Sequence, residues 1–415
     1  MMRCNMRALL VALFLLGSAP AQRTWVVDPL GGGDFLDLPP AVQAASVGDT
    51  ILLRGHYTTA TTVDKGLRIV ADVRGSGVVG PMGHMVIRDI PVGQEVVLAG
   101  CVSVFLFEPQ STLTIQDCAG KVHVGAWYAS PTGDPIQTRS FVRVRNCGHV
   151  TFRGNRLIDV EVEDSTVLFT HSILAGDAWP RGTLPTQTGL PGLVSKNSDV
   201  TLALCIVEGA RSYGGPAIIP GIHMTGGRLR ITGDSTVPFS EGYRRVDGGF
   251  SFNRFTGQGT GGPAIHSDGG LVEVDPRILL RTYQGLPPIV TGTSEYRTRT
   301  IPLLTSSQPR MGLEDVIARV HGPSGAQAWV FLSLPHDPVS IPGVGGDIWL
   351  DPATLLPFGQ GTIGTNGMLE VRHPLPRGIL PRGHTLAFQG LLLDQGAFEL
   401  TTPTMPIVLD YPPRS

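Results

Sequence analysis

Lysine is almost missing from this chain: Lys65, Lys121 and Lys196 are the only three, and the remaining basic residues are arginine. Charged residues of all kinds make up only 16%, and the formal net charge is −2. Such a balance offers no electrostatic attraction for nucleic acid or an anionic membrane surface. Beyond residue 21 no apolar run approaches the roughly 20 residues needed to cross a bilayer, so membrane insertion is not expected. Aromatics are scarce at 7%, and the five cysteines form no CxxC pair. Without a CxxC pair or clustered histidines beside them, the cysteines are not expected to bind a metal. Glycine and proline are plentiful instead, at 54 and 34 residues. Both interrupt helices and punctuate turns, which points to an all-β, turn-dense protein.

The first 21 residues read as a signal peptide. Arg3 and Arg7 make a basic start, Ala8–Leu16 an apolar run, and Ala19-Pro20-Ala21 a small-residue cleavage site ahead of Gln22. Export is expected, to the extracellular space or the periplasm.

Four strings then align: Val96–Cys101 (VVLAGC), Leu113–Cys118 (LTIQDC), Val142–Cys147 (VRVRNC) and Val160–Ser165 (VEVEDS). Apolar residues alternate with others, and a small or polar corner follows. One strand per repeat, stacked on the next, is the mark of a solenoid. Further strands of the series are Leu67–Val70, Val122–Val124, Val150–Phe152, Val167–Phe169, Val200–Leu204, Leu229–Ile231 and Leu271–Val274. The expected division is a capped parallel β-helix over 22–285, a linker over 286–306 and a small β-sandwich over 307–411. The last is read from short strands separated by Gly, Pro and Asp-Pro turns.

The mature start holds Gly33-Asp34-Phe35, then Ala41-Val42 with Ala44-Ala45, Gly48-Asp49-Thr50-Ile51, and Gly55 with Tyr57. This stretch resembles the opening of right-handed parallel β-helix proteins of the pectin-lyase-like group, pectinesterases among them. The resemblance implies a short helix over Leu38–Ala45 that caps the first rung. It does not extend to catalysis. The pectinesterase Q-A-[LV]-R, G-x-x-D-F-[IV]-F-G and L-G-R-P-W motifs do not occur, nor do pectate lyase or polygalacturonase signatures. A G-x-S-x-G elbow and a phosphate-binding loop are also absent. The C-terminal strands resemble sandwich modules of secreted bacterial proteins.

The densest run of acids is Asp159, Glu161, Glu163 and Asp164. Strand alternation places Asp159, Glu161 and Glu163 on one outer face, where adjacent carboxylates suit an oxygen-seeking ion. Ca²⁺ is the one cofactor that such a face would take. Eighteen residues earlier, Arg143 and Arg145 hold the matching positions, so two cross-rung ion pairs are the competing reading. His223 and His266 share an Ile-His-x-x-Gly-Gly context, so they fill the same place in the repeat: the first reading is a turn histidine bonded to a neighbouring loop, and a stacked pair ligating a metal with Asp268, or a catalytic base, are the alternatives. Trp127, Tyr128 and Trp179 lie in loop-like excursions, where aromatic rings could face a sugar. Cys101, Cys118 and Cys147 fall in one column of the alignment; rungs ~4.8 Å apart would admit a disulfide between neighbours, or a column of reduced thiols.

The expectation is therefore a secreted or cell-surface β-helix that binds a polysaccharide or cell-surface glycan without turning it over. A polysaccharide lyase or glycoside hydrolase with a divergent site, and a structural spacer, are the alternatives.

Overall fold

The computed structural model describes residues 22–57, 59–72, 80–81, 84–100, 111–125, 140–176, 189–213, 218–233, 244–252, 259–282, 289–307, 315–374 and 383–408. The expected signal peptide lies outside them. So do Cys101, Trp127, Tyr128 and Trp179.

The N-terminal two thirds form a parallel β-helix. Its first sheet has eleven parallel strands, from Thr24–Val27 to Glu295–Thr298. A second sheet of thirteen strands runs beside it and divides at Arg156–Glu163. The first half of that strand pairs with Ile173–Ala175 and begins a third face. Its second half pairs with Leu193–Lys196 and continues the second sheet. Asp159 sits between the halves at φ 49°, and the register slips there by one residue.

A rung runs from a second-sheet strand such as Ser140–Arg145, round a corner at Asn146–Gly148, into a first-sheet strand such as His149–Arg153. Alternate residues point inward, so Val142, Val144, Val150, Phe152, Val160 and Val162 are fully buried. Stacking lines them into one continuous core, in which Phe152 and Phe169 lie ring on ring at 4.9 Å.

The expected cap is present. Asp37 caps the helix Leu38–Ala44 through its side chain, Pro39 and Pro40 occupy the tolerated first turn, and Leu38, Ala41 and Val42 cover the end of the core. Asp49 of the Gly-Asp-Thr-Ile stretch accepts hydrogen bonds from Arg23 N, Ser46 N and Trp25 Nε1, which ties the first strand to the turn.

Two sequence expectations are corrected by register. Val96 pairs with Val122 in the first sheet, whereas Leu113, Val142 and Val160 stack in the second. Both sheets share the same apolar alternation, so the string beginning at Val96 matched strands on a different face. The residue beneath Cys118 in this register is Ile90, since Met85 pairs with Leu113. Rung length also varies, from 17 residues between Val150 and Val167 to 43 between Ile222 and Ile265. Insertions between strands, not a fixed period, set it.

The segment expected as a linker is mostly strand. Val290–Gly292 and Glu295–Thr298 add a last rung, and Leu303–Ser306 already belongs to the C-terminal domain. That domain is a sandwich. A three-stranded antiparallel sheet (Leu303–Ser306, Asp315–His321, Met368–Pro374) faces a five-stranded one built around Gln327–Ser333 and Ala387–Asp394. Leu304, Val316 and Val320 pack against Val330, Phe358, Phe388 and Leu392.

The sandwich docks on the outer face of the first sheet. Val70, Val97 and Ala99 meet Ile407, and Leu168 meets Trp349, Leu350 and Met405. Outward-pointing residues of the first sheet are therefore as buried as inward ones: Val97, Ala99 and Leu168 are each 0% exposed. The second sheet keeps its outer face open, and that asymmetry positions the candidate site.

Candidate functional site

Two columns of side chains climb the outer face of the second sheet. Pairing in register stacks Thr114, Arg143, Glu161, Val194, His223, His266 and Thr291 in one. Gln116, Arg145, Glu163, Lys196, Thr225 and Asp268 form the other, two residues along each strand.

The charged part is a ladder of ion pairs. Arg143 Nε lies 3.5 Å from Glu161, and Arg145 Nε 3.2 Å from Glu163. Lys196 Nζ reaches across to Glu161 at 3.1 Å. Burial alone would raise the Glu161 carboxyl, but the Lys196 hydrogen bond and the charges of Lys196, Arg145 and Arg143 outweigh it and hold the group below the ordinary carboxylate range. Glu161 is thus an ionised, satisfied partner, not a poised acid. Asp159 does not extend this face by alternation, because its left-handed backbone places it in the bulge between two half-strands. Asp164 leaves the face as well: it is the corner residue at φ 47°.

The sequence showed a small or polar corner after each strand, but its left-handed Asp/Asn ladder was missed. Asp89, Asp117, Asn146, Asp164 and Asn197 occupy it in successive rungs, all at positive φ near 50°, where Asn and Asp are better tolerated than most side chains. Asn146 donates to Asp117 at 2.9 Å. The following residue closes the turn: Cys118 Sγ, Cys147 Sγ, Ser165 Oγ and Ser198 Oγ each donate to the carbonyl two residues back, at 3.2, 3.0, 2.7 and 2.6 Å. The recurrent Asp/Asn-Cys/Ser pair was the signal. Along the corner runs a groove of about 650 Å³, lined by Asn146, Asp164, Asn197, Asp199 and Arg228 among others.

Cys118 and Cys147 do stack, but as free, buried thiols. Each is held as a donor to its own strand's carbonyl, which orients the two sulfurs along the corner. The neighbouring Cys118 and burial push the Cys147 thiol up. Cys205 repeats the arrangement at another corner, donating to Ala203 O at 3.4 Å, and burial pushes its thiol up to about 12.

The two histidines fill the same place in the repeat, as expected. His223 and His266 are register partners with ring centroids 5.3 Å apart. His266 Nε2 lies 3.2 Å from Asp268, and its Nδ1 is 2.8 Å from the Thr291 hydroxyl.

Trp127, Tyr128 and Trp179 fall outside the described residues, so their part is not placed. Their segments, 126–139 and 177–188, connect into the starts of the second-sheet strands Ser140–Arg145 and Leu193–Lys196.

No known family matches the chain, and no curated protein does. Among solved structures it is similar to a cell-surface-expressed multi-modular chitinase, ChiW, from Paenibacillus sp. str. FPU-7, at 11% identity and TM-score 0.16, over 85% of this chain and 24% of that one. It is also similar to the enzymatically active domain of bacteriophage CBA120 tailspike protein 2, at 10% identity and TM-score 0.21, over 86% and 70%. A third is the receptor binding domain of the siphovirus 9NA tailspike, at 10% identity and TM-score 0.17, over 92% and 98%. The chain spans about a quarter of the chitinase chain. At these scores the fold assignment rests on the strand register above and not on the likenesses. Among the described residues no helix is long and apolar enough to cross a membrane.

Proposed function

We propose that this is an exported, non-catalytic glycan-binding protein, a right-handed helix of the pectin-lyase-like type whose second sheet takes a polysaccharide along its open face. One observation carries the reading: the outer face of the first sheet is covered by the sandwich, while the second presents a stripe of mostly charged and hydrogen-bonding side chains, broken only at Val194 among the described residues, beside an open polar groove. Such a stripe repeats at the rung spacing of ~4.8 Å, so a polymer with many equivalent hydroxyls can meet it at several rungs together. Supporting a binding role over turnover, Glu161 and Glu163 are engaged by Arg143, Arg145 and Lys196 and are not arranged as an acid and a base.

The test uses residues 22–415 with a panel of neutral and acidic polysaccharides. Affinity electrophoresis reports binding, and chain length with ultraviolet absorbance of unsaturated ends reports cleavage. Retardation without shortening, weakened by Arg143→Ala with Lys196→Ala in a folded protein, is the expected result. Shortening of any polymer would establish a lyase or hydrolase in its place. No retardation across the panel would leave the rod as a spacer.

A further inference from the structure

His223, His266 and Asp268 lie on the open face of the second sheet, and one ligand atom from each falls within 4.8 Å of the others. We propose that they form a binding site for one divalent transition-metal ion, with coordination positions left open to solvent.

Three features carry this. The first is register. His223 and His266 are direct partners on adjacent strands, and Asp268 follows His266 by two residues, so strand alternation puts all three side chains on one face. The backbone, fixed by parallel pairing on both sides, holds the set in place before any ion arrives. The second is spacing. Zinc bonds to imidazole nitrogen or carboxylate oxygen are about 2.0–2.2 Å long, which sets tetrahedral ligand atoms roughly 3.3 Å apart. His266 Nε2 and Asp268 Oδ2 already stand at 3.2 Å, and a His223 ring nitrogen lies within 4.8 Å of the set. The third is the support behind the ligand. His266 Nδ1 lies 2.8 Å from Thr291 Oγ1. A hydrogen bond from Nδ1 to that oxygen leaves Nε2 as the lone-pair nitrogen, the outer partner that metal-bound histidines regularly have.

Two imidazoles and one carboxylate suit Zn²⁺ or a neighbouring first-row ion and do not suit Ca²⁺, which takes oxygen ligands. The charge of Lys196 acts on His223, but its ammonium is held by Glu161 at 3.1 Å. The acidic stretch therefore serves the ion-pair ladder, and the metal belongs two to three strands further along the same face.

The experiment is equilibrium dialysis and calorimetry of metal-free residues 22–415 with Zn²⁺ alone, repeated with Co²⁺ for its visible absorption. One ion per chain is expected. His223→Ala and His266→Ala should each weaken binding at least about 30-fold, and Thr291→Val, one step removed from the ion, about 10-fold. Glu163→Gln, on the same face but outside the set, should leave binding unchanged. Circular dichroism and thermal melting keep loss of folding apart from loss of ligands. Binding weaker than millimolar, or binding that survives the double His223→Ala, His266→Ala variant, would overturn the proposal.

Discussion

The backbone N–H of Cys147 donates to the hydroxyl of Ser165, its neighbour one rung on, at 3.0 Å. Ser165 N donates in turn to Ser198 Oγ at 3.1 Å, and every one of these corner side chains also donates to the carbonyl two residues back. A thiol and a hydroxyl thus fill the same place in successive rungs, so the cysteine column is a hydrogen-bonded turn and not a disulfide framework.

Replacing Cys118 and Cys147 together by serine should consequently cost little, about 1 kcal/mol or less, because the hydroxyl makes the same donation. Ser165→Ala removes a buried donor and acceptor and should cost about 1–3 kcal/mol. Denaturant unfolding of both variants checks this. A larger loss for the double serine variant than for Ser165→Ala would mean that the sulfurs contribute a covalent link.

The junction between the two domains is centred on Glu273, 3% exposed, which accepts from Arg228, Arg230 and Arg299. Arg230 continues to Asp347 at 3.2 Å, and Arg299 to Glu399, both in the sandwich. Burial opposes ionisation of Glu273, but the guanidinium groups of Arg228 and Arg299 outweigh it and bring the carboxyl down to about 2. Glu273→Ala would leave three arginines facing one another in a partly buried site and should cost about 3–5 kcal/mol. Calorimetry should show the single wild-type transition separating into two as the sandwich uncouples. An unchanged single peak at the wild-type temperature would sink this account.

Acid should loosen the same junction. His123 and His149 are both 0% exposed, the first 3.3 Å from Glu95 and the second edge-on to Trp349 of the sandwich at 5.0 Å. Burial holds both imidazoles below their usual range. In the unfolded chain they take up protons below about pH 6.5, while in the folded protein they resist. Their contribution is full above that pH and is lost as pH falls from it toward the depressed folded values. Glu95, raised by burial, works in the opposite sense. The denaturation midpoint should fall between pH 7.5 and pH 5.5, and less steeply in His149→Phe. A midpoint that rises over that interval would contradict the assignment.

On the open face the balance is different. Glu161→Gln and Glu163→Gln break ion pairs with partly exposed partners and should each cost about 1 kcal/mol or less. Phe152→Ala, in the stack with Phe169, should cost about 3–5 kcal/mol. Midpoints measured side by side would test the contrast. Equal losses would show that the ladder holds the rungs together.

Much of the fold was legible along the chain because it is written in local terms. Inward valines alternate with other residues, an Asp-Leu-Pro-Pro start followed by Ala-Val-Gln-Ala-Ala makes the capping helix, and Arg143–Arg145 and Glu161–Glu163 are one rung apart, so their pairing could be read by counting. The His223 and His266 echo was equally visible. Other features depended on relations that counting cannot reach. Two sheets with the same alternation look identical in sequence, so Val96 and Leu113 seemed equivalent until register separated them. A single left-handed residue, Asp159, removes itself from a face that alternation assigned to it. Above all, the sequence alone determined that outward positions of the helix would alternate with the core; only the tertiary structure decided which outer face stays open. The sandwich buries Val97, Ala99 and Leu168 of the first sheet and leaves the Arg143 to Asp268 stripe of the second in water, because burial depends on what packs opposite a residue and not on the residue's own strand.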